Sequence, residues 1–279
     1  MIQDIFPHKL YNQYRPDIQP GKDDYVICIK DQNMLVNKKQ MDHLVLEFPR
    51  VEDFTQKLNL RYLLSVDDEH YFIYDQQDKA EEPLLSGYDY MDIRKIRKSG
   101  SAPRYRIFAL LTAKHLYDWY RDNVFCGRCG EKMVHSKKER AMMCKCCGYV
   151  SYPRIMPAVI VGVRDKDRLL ITRYRNGYQH NALVAGFTEI GETLEETVMR
   201  EVMEETGIRV KNIEYYKSQP WGIANDILMG FYCDAEGSVD IRMEEDELKY
   251  AEFVHKKDIV LQPDDFSLTN EMMKVFKES

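Results

Sequence analysis

Hydrophobic and polar positions in the first part of the chain form short runs that are separated by turn-forming residues. Tyr25 to Lys30 is followed by Asp31-Gln32-Asn33, and Tyr62 to Val66 is followed by Asp67-Asp68 and a further run, Tyr71 to Tyr74. β-branched and aromatic runs on either side of such turns are typical of β-hairpins. We therefore predict a small β-rich N-terminal domain over residues 1–121.

The spacing changes after Pro103. Apolar residues now recur at roughly helical intervals, at Phe108, Leu111, Leu116 and Trp119. This period predicts an amphipathic helix that ends near Asn123 and closes the N-terminal domain.

From residue 154 onward, strand-like runs surround one strongly helical segment. Strands are predicted at 158–163, 169–172, 213–217, 227–233 and 250–254, and helices at 194–206 and about 268–277. This order predicts an α/β domain over residues 154–279. The sequence has no internal repeat and no low-complexity segment.

Charge and hydropathy narrow the classes of partner. The 279 residues include 46 acidic and 40 basic side chains, which leaves a net charge of -6, and no Lys/Arg run stands out as a tract that would neutralise a polyphosphate backbone. A polymeric nucleic-acid partner is therefore not expected from charge. The longest apolar stretch, 156–163, is short, and the N-terminus lacks the pattern of a signal peptide. We predict a cytoplasmic protein without a membrane span.

The helix predicted at 194–206 has clear boundaries in the sequence. Thr193 and Glu196 have the spacing of a capping box, and Gly207 stands where a left-handed residue ends a helix. Within this helix, three acids lie on one face, at Glu201, Glu204 and Glu205.

Like charges held together near the negative end of a helix are repulsive unless cations lie between them. Carboxylate oxygens are ligands that Mg²⁺ prefers, and they suit Mn²⁺ as well. Arg200 is the predicted internal counter-charge for one of these glutamates. The alternative is an acidic helix end that is simply solvated. The specific arrangement of Gly, Arg and Glu residues around the acids disfavours this alternative.

Five of the seven cysteines are clustered within residues 126–147. Two Cys-x2-Cys-Gly turns, separated by fourteen residues, predict a tetrahedral zinc site with Cys126, Cys129, Cys144 and Cys147 as ligands. Cys146 is left out because each turn ends in Gly after the chosen cysteine, although it could compete with a neighbour. Four thiolates leave no open position, so the predicted role of this ribbon, residues 122–153, is structural.

The segment from Gly186 to Ile208 resembles the Nudix box at every fixed position, Gly-x5-Glu-x7-Arg-Glu-U-x-Glu-Glu-x-Gly-U with U aliphatic. The resemblance implies an α+β chain in which a Nudix α/β/α sandwich with a mixed sheet follows the zinc ribbon and the N-terminal domain. It also implies that Glu201, Glu204 and Glu205 bind two or three Mg²⁺ or Mn²⁺ ions, with the Ala185 carbonyl as a further ligand. Glu204 and Glu205 are both candidates for the group that accepts the proton.

A zinc ribbon before a Nudix domain resembles the NADH pyrophosphatase branch, through Phe125-Cys126-Gly-x-Cys-Gly, Tyr152-Pro153 and Ser218-Gln219-Pro220-Trp221. The branch continues with Pro-Phe-Pro, one variable residue and Ser, whereas this chain reads Gly222-Ile223-Ala224-Asn225-Asp226. The resemblance implies Glu247 as a metal ligand beyond the box. It implicates as substrate contacts Arg94, Glu139, Tyr152, Phe187, Gln219, Pro220, Trp221, Asp226 and Thr269.

The predicted activity is metal-dependent hydrolysis of NADH, and less readily of NAD⁺, to nicotinamide mononucleotide and AMP. A homodimer with one structural Zn²⁺ per chain is implied, in which the ribbon and Tyr152 help to build the partner's site. The alternatives are another substrate, namely ADP-ribose, a nucleotide sugar or an NAD cap on RNA, and a nucleotide-sensing module without catalysis.

Overall fold

The computed structural model describes residues 1–40, 44–74, 85–98, 100, 102–244 and 246–279. They form two compact units. The first contains Met1–Ile2, Ile155–Trp221 and Asp226–Ser279, and the second contains Gln3–Arg154 and Gly222–Asn225. The N-terminal domain and the ribbon thus lie in one unit, and the division into three domains stays a prediction. None of the described helices has both the length and the apolar composition needed to span a bilayer.

The second unit begins with eight short strands in two sheets. The strands are β1 (Leu10–Tyr11), β2 (Tyr25–Ile27), β3 (Ile29–Lys30), β4 (Asn33–Gln40), β5 (Leu44–Glu47), β6 (Leu60–Val66), β7 (Glu69–Tyr74) and β8 (Tyr88–Asp92). One sheet has the order β1-β6-β7-β2, and the other has the order β3-β4-β5 with β8 beside β4.

Both predicted hairpins are confirmed, since Lys30 pairs with Asn33 and Val66 pairs with Glu69 in antiparallel register. Asp31 and Asp67 occupy the turns with positive φ, a conformation that Asp tolerates better than most residues.

Two helices and the zinc ribbon complete this unit. Helix α1 spans Ile93–Lys98, and α2 spans Arg104–Asp122 with Asn123 as its C-cap, which confirms the predicted end. The ribbon is an antiparallel sheet with the order β11-β10-β9, formed by β9 (Val134–His135), β10 (Met142–Met143) and β11 (Val150–Ser151).

The first unit is built on a six-stranded sheet. Its strands are β12 (Met156–Asp165), β13 (Arg168–Tyr174), β14 (Val184–Phe187), β15 (Arg209–Trp221), β16 (Asp226–Glu236) and β17 (Leu248–His255). The order is β15-β16-β12-β13-β17, with β14 beside β12. Because β12 and β16 are parallel and the other pairs are antiparallel, the sheet is mixed, as predicted.

One helix packs on each face of this sheet. Helix α3 spans Leu194–Thr206 and α4 spans Leu268–Glu278. Successive residues of β12 point to opposite faces, so Val159 and Val161 share a buried cluster with Val198 of α3, whereas Ile160 shares one with Met272 of α4. This layering confirms the predicted sandwich and fixes α3 against β14, which precedes it in the chain.

Candidate active site and zinc ribbon

Helix α3 begins and ends where its sequence predicts. The Thr193 hydroxyl accepts a hydrogen bond from the Glu196 backbone N–H at 3.2 Å, and the Glu196 carboxylate accepts one from the Thr193 N–H at 2.7 Å. Gly207 has φ 71°, and its N–H donates to the Met203 carbonyl at 2.9 Å. These caps fix which residues form the last turn, where the acids lie.

Arg200 is bound by several of the box carboxylates. Its Nε donates to Glu192 Oε1 at 2.6 Å, and its Nη1 donates to Glu201 Oε1 at 2.7 Å and to Glu204 Oε2 at 3.0 Å. A further bond from Nη2 to the Phe187 carbonyl, 2.9 Å long, joins α3 to the end of β14. Arg200 therefore neutralises more of the cluster than the single glutamate predicted for it.

The Glu192 carboxylate is the one most strongly stabilised in its charged form by these contacts. Its carboxylate also accepts a hydrogen bond from the Thr197 hydroxyl at 3.0 Å and one from the Glu189 N–H at 3.1 Å. The Arg200 guanidinium, helped by these donors, lowers the pKa of Glu192 to about 2. Glu192 is thus a fixed anion that holds Arg200 in place.

Glu205 lies on the inner side of the cluster and is 1% exposed. Its Oε1 accepts a long hydrogen bond from the Ala185 N–H at 3.4 Å, while its Oε2 is buried without a hydrogen-bond partner among the described residues. Burial raises the pKa of Glu205 to about 8, and the nearby charge of Glu247 adds to the rise. A buried carboxylate oxygen without a donor is costly unless a cation binds it.

Glu201 lies against the backbone of β14. A Cβ added at Gly186 would lie 1.9 Å from the Glu201 Cδ, so this carboxylate fits only beside a glycine. Burial raises the pKa of Glu201, and the charges of Glu204 and Glu247 add to the rise while Arg200 opposes it. Gly186 thus has a steric reason for its place in the box.

Glu247 lies beside the same cluster, although it is distant from the box in sequence. Its carbonyl accepts a hydrogen bond from the Arg175 N–H at 2.8 Å. Tyr174 is nearby, and burial raises the pKa of its phenol, with the charges of Glu205, Glu247 and Glu201 adding to the rise. The structure therefore brings together the predicted ligands of the box and the one predicted outside it.

These residues fit hard divalent cations. The side-chain ligands are carboxylate oxygens, and one of them, Glu205 Oε2, is buried and accepts no hydrogen bond from the part of the chain that the structure describes. The predicted Ala185 carbonyl belongs to the residue whose N–H donates to Glu205 Oε1. The assignment of Glu201, Glu204, Glu205, Glu247 and Ala185 as Mg²⁺ or Mn²⁺ ligands stays a prediction.

The predicted substrate contacts in the first unit fall into two groups. Phe187 is 50% exposed at the end of β14, and Pro220 and Trp221 lie at the end of β15 with exposed or partly exposed side chains. Gln219 is fully buried, and its amide binds the Phe266 carbonyl at 2.7 Å and the Leu268 N–H at 2.7 Å. This geometry favours a structural role for Gln219, at the start of α4.

Two other predicted contacts in this unit are less accessible than Phe187. Asp226 is 5% exposed at the start of β16, where it pairs with Trp221. Thr269 is half-buried in the first turn of α4. Neither position adds support for a contact with substrate.

Three predicted contacts lie in the second unit. The Tyr152 hydroxyl donates to Glu139 Oε1 at 3.0 Å, so these two ribbon residues act as a pair. Tyr152 is 54% exposed. Arg94 is exposed on α1, where its N–H donates to Asp92 at 2.7 Å.

The four predicted zinc ligands lie together in the ribbon. Their Sγ atoms all lie within 4.8 Å of one another, and Cys146 is not among them. Gly130 and Gly148 have φ 78° and 73°. Each donates its N–H to the backbone carbonyl of the first cysteine of its own turn, Cys126 at 2.8 Å and Cys144 at 3.0 Å. Two such turns place four sulfurs around one point, which fits tetrahedral Zn²⁺.

Comparison with known proteins identifies both parts. A model of the NUDIX domain matches residues 154–275, and a model described as the NADH pyrophosphatase zinc ribbon domain matches residues 121–152. The chain therefore contains a Nudix domain preceded by a zinc ribbon of the NADH pyrophosphatase type, as its sequence predicts.

Curated relatives of this Nudix protein include enzymes named NAD-capped RNA hydrolase NudC. The one from Klebsiella pneumoniae is 45% identical over 152 residues, and the one from Shigella flexneri is 44% identical over 151 residues. Each alignment covers 53% of this chain and 58% of the relative, so the chain matches little more than half of their length. A solved NUDIX hydrolase from Nitrosomonas europaea has a TM-score of 0.46 at 19% identity, covering 55% of this chain and 90% of that chain.

Some residues that matter in the geometry were not singled out from the sequence. Glu192 was a fixed position without a role, Gly186 had no stated reason, and Tyr174 was absent. The box pattern could have drawn attention to Glu192, since it stands eight residues before Arg200 and can reach it from the preceding loop. Nothing in the sequence pointed to Tyr174.

Proposed function

We propose that this protein hydrolyses the pyrophosphate bond of NADH, and less readily of NAD⁺, to nicotinamide mononucleotide and AMP, using Mg²⁺ or Mn²⁺. The observation that carries the proposal is the buried Oε2 of Glu205, which has no hydrogen-bond partner among the described residues and lies in a cluster with Glu201 and Glu247. The names of the relatives and of the ribbon model add support.

The protein's own side chains have separable tasks in this reaction. Arg200 holds Glu201 and Glu204 on one face of α3, and Glu192 holds Arg200. Bound divalent cations supply neutralisation of the pyrophosphate oxygens and a lower pKa for the attacking water. Glu204 and Glu205 remain the two candidates for accepting the proton of that water.

Binding of the dinucleotide is proposed to use exposed rings. Phe187 and Trp221 in the first unit are aromatic side chains with exposed or partly exposed faces on which a nicotinamide or adenine ring can stack. Tyr152, which is exposed in the second unit, is proposed to serve the partner's site in the homodimer. The Tyr152 ring is oriented by its hydrogen bond to Glu139.

A homodimer is part of the proposal. Each unit exposes large apolar side chains, including Phe125 and Tyr152 in the second unit and Ile155, Met156 and Ile190 in the first. These side chains are the ones proposed to be covered when two copies associate. Light scattering measures the oligomeric state, and Tyr152→Ala tests whether the ribbon contributes to activity. A cytoplasmic location stays a prediction.

A substrate panel tests the activity. The purified protein is incubated with Mg²⁺ or Mn²⁺ and equal concentrations of NADH, NAD⁺, ADP-ribose and a nucleotide sugar, and the products are resolved by liquid chromatography. Preferential release of AMP and reduced nicotinamide mononucleotide supports the proposal. Preference for another compound keeps the chemistry and changes the substrate, whereas no cleavage of any compound favours the sensing module.

An NAD cap on RNA is the second candidate substrate, because the relatives bear the name of that activity. A short RNA with a 5′ NAD cap is added to the panel, with the same RNA bearing a 5′ triphosphate as its control. A kcat/KM for the capped RNA above that for NADH would make the RNA end the preferred substrate.

A further inference from the structure

The four residues Gly222–Asn225 form the turn that joins β15 to β16, and they belong to the same compact unit as α2. The antiparallel pair of Trp221 and Asp226 closes this turn. At its first position, a Cβ added to Gly222 would lie 2.1 Å from the Leu111 carbonyl oxygen. The turn therefore approaches the backbone of α2 so closely that only glycine fits there.

A buried ion pair of α2 binds the rest of the turn. Lys114 Nζ lies 2.6 Å from Asp118 Oδ2, and the two side chains are 3% and 5% exposed. Lys114 also donates to the Ile223 carbonyl at 3.0 Å, and the Asn225 amide donates to Asp118 Oδ2 at 3.1 Å. Each member of the pair thus binds a different position of the turn.

Burying this ion pair has a high desolvation cost. Removing two charges from water costs more than packing apolar side chains of the same size, so a buried pair adds little net stability. Its contribution is geometric, because Lys114 and Asp118 specify where a carbonyl and an amide of the turn must lie. Asn225 has φ 65°, a conformation that its bond to Asp118 helps to select.

The turn is also the segment in which this chain departs from the pattern it resembles. Where that pattern has Pro-Phe-Pro after Trp221, this chain has Gly222-Ile223-Ala224. A proline at position 222 would place its Cβ against the Leu111 carbonyl. In this chain the segment is held by the contacts of Ile223 and Asn225 with Lys114 and Asp118.

We propose that Lys114 and Asp118 are positioning residues, which fix turn 222–225 and thereby the orientation of Trp221 toward the nicotinamide ring of a dinucleotide substrate. This inference rests on the proposed function. Loss of these contacts should affect NADH more than ADP-ribose, since ADP-ribose has the pyrophosphate and the adenosine but lacks the nicotinamide. The inference assigns no change to the carboxylates of α3.

The test compares steady-state constants for NADH and ADP-ribose in the wild type and in Lys114→Met. The variant is expected to lower kcat/KM for NADH by about 10-fold to 100-fold, mainly through KM, and to change that for ADP-ribose by less than about threefold. Thr112→Ala is the matched control, since among the described residues its hydroxyl binds the Phe108 carbonyl of the same helix and no residue of the turn. It is expected to leave the NADH to ADP-ribose ratio unchanged.

Asn225→Ala keeps the test valid if Lys114→Met does not fold, because it removes one contact of the turn and leaves the ion pair intact. It should shift the ratio in the same direction by a smaller factor. An unchanged ratio in the folded variants, or an equal loss for both substrates, would overturn the inference while leaving the proposed function in place. A wild type that cleaves neither substrate would instead refute the proposed function.

Discussion

The space beside Gly186 is occupied by the carboxylate of Glu201: a Cβ added at Gly186 would lie 1.9 Å from Glu201 Cδ and 2.0 Å from its Oε1. Gly186 pairs with Val159 in the centre of the sheet, so the backbone there cannot move away easily. The first glycine of the box therefore sets how closely α3's acids approach β14.

Gly186→Ala should displace Glu201 from the cluster. We expect kcat/KM to fall about 100-fold or more, because a metal ligand is moved by an ångström or so. Gly127→Ala is the matched control, as an added Cβ there meets nothing within 4 Å. Steady-state kinetics and thermal unfolding of both variants measure the effects. Activity near that of the wild type in Gly186→Ala would show that the placement of Glu201 is not required.

Arg200→Met should remove the cation that holds Glu192, Glu201 and Glu204. The free energy of unfolding without divalent ions should fall by about 2 kcal/mol, since charge-assisted hydrogen bonds are lost and like charges are left together. Lys256→Met, which removes a partly exposed pair with Asp167 and a hydrogen bond to the Ser279 carbonyl, should cost no more than about 1 kcal/mol. Denaturant titration compares the two, and equal losses would argue against the counter-ion role of Arg200.

Glu205→Gln should stabilise the protein when Mg²⁺ and Mn²⁺ are absent and zinc is retained. The folded pKa of Glu205, about 8, is above the value of a free glutamate, about 4.3. Below about pH 4.3 the Glu205 carboxyl is protonated in both the folded and the unfolded protein, so its burial does not lower the free energy of unfolding. As the pH rises toward 8, the unfolded state ionises first and the free energy of unfolding falls.

The difference between Glu205→Gln and wild type should consequently be small at pH 5 and reach about 2 to 4 kcal/mol in favour of the variant at pH 8. Denaturant titrations at the two pH values measure it. A difference that does not grow with pH would contradict the raised pKa. Saturating Mg²⁺ should reverse the order, because the wild type alone keeps the full ligand set.

Much of the fold could be predicted because local rules agree with the tertiary structure. The capping box at Thr193 and Gly207 gave the bounds of α3 without error, and the turns at Asp31 and Asp67 gave two hairpins. Strand β14 was missed, since its four residues include Gly186 and show no alternation. Its pairing with β12 is a long-range contact that a local pattern does not reveal.

The site shows the same contrast. The box predicted which acids lie on one face of α3, because the spacing of three and four residues is a property of the helix. It could not predict that Gln219 is buried, since the partners of its amide come from residues near 266–268. The Lys114–Asp118 pair was missed for a similar reason: an i, i+4 pair of opposite charge is usually a surface feature.

Cys129→Ser should release zinc from the ribbon, whereas Cys146→Ser should retain it. Only the first of these cysteines belongs to the group of four sulfurs. Metal analysis of the purified variants, with thermal unfolding, tests the assignment, and loss of a structural zinc site should lower the stability of the ribbon markedly. A full equivalent of zinc in Cys129→Ser and none in Cys146→Ser would reassign the ligand set.

The measurement that tests the central claim most directly is NADH cleavage as a function of Mg²⁺ and Mn²⁺ concentration, in the wild type and in Glu205→Gln. AMP and reduced nicotinamide mononucleotide are quantified by liquid chromatography. We predict stoichiometric formation of both products by the wild type, saturation with the divalent ion, and a loss of at least about 1,000-fold in the variant. Wild-type turnover in Glu205→Gln, or turnover that does not depend on the ion, would contradict the assignment of this cluster as the catalytic site.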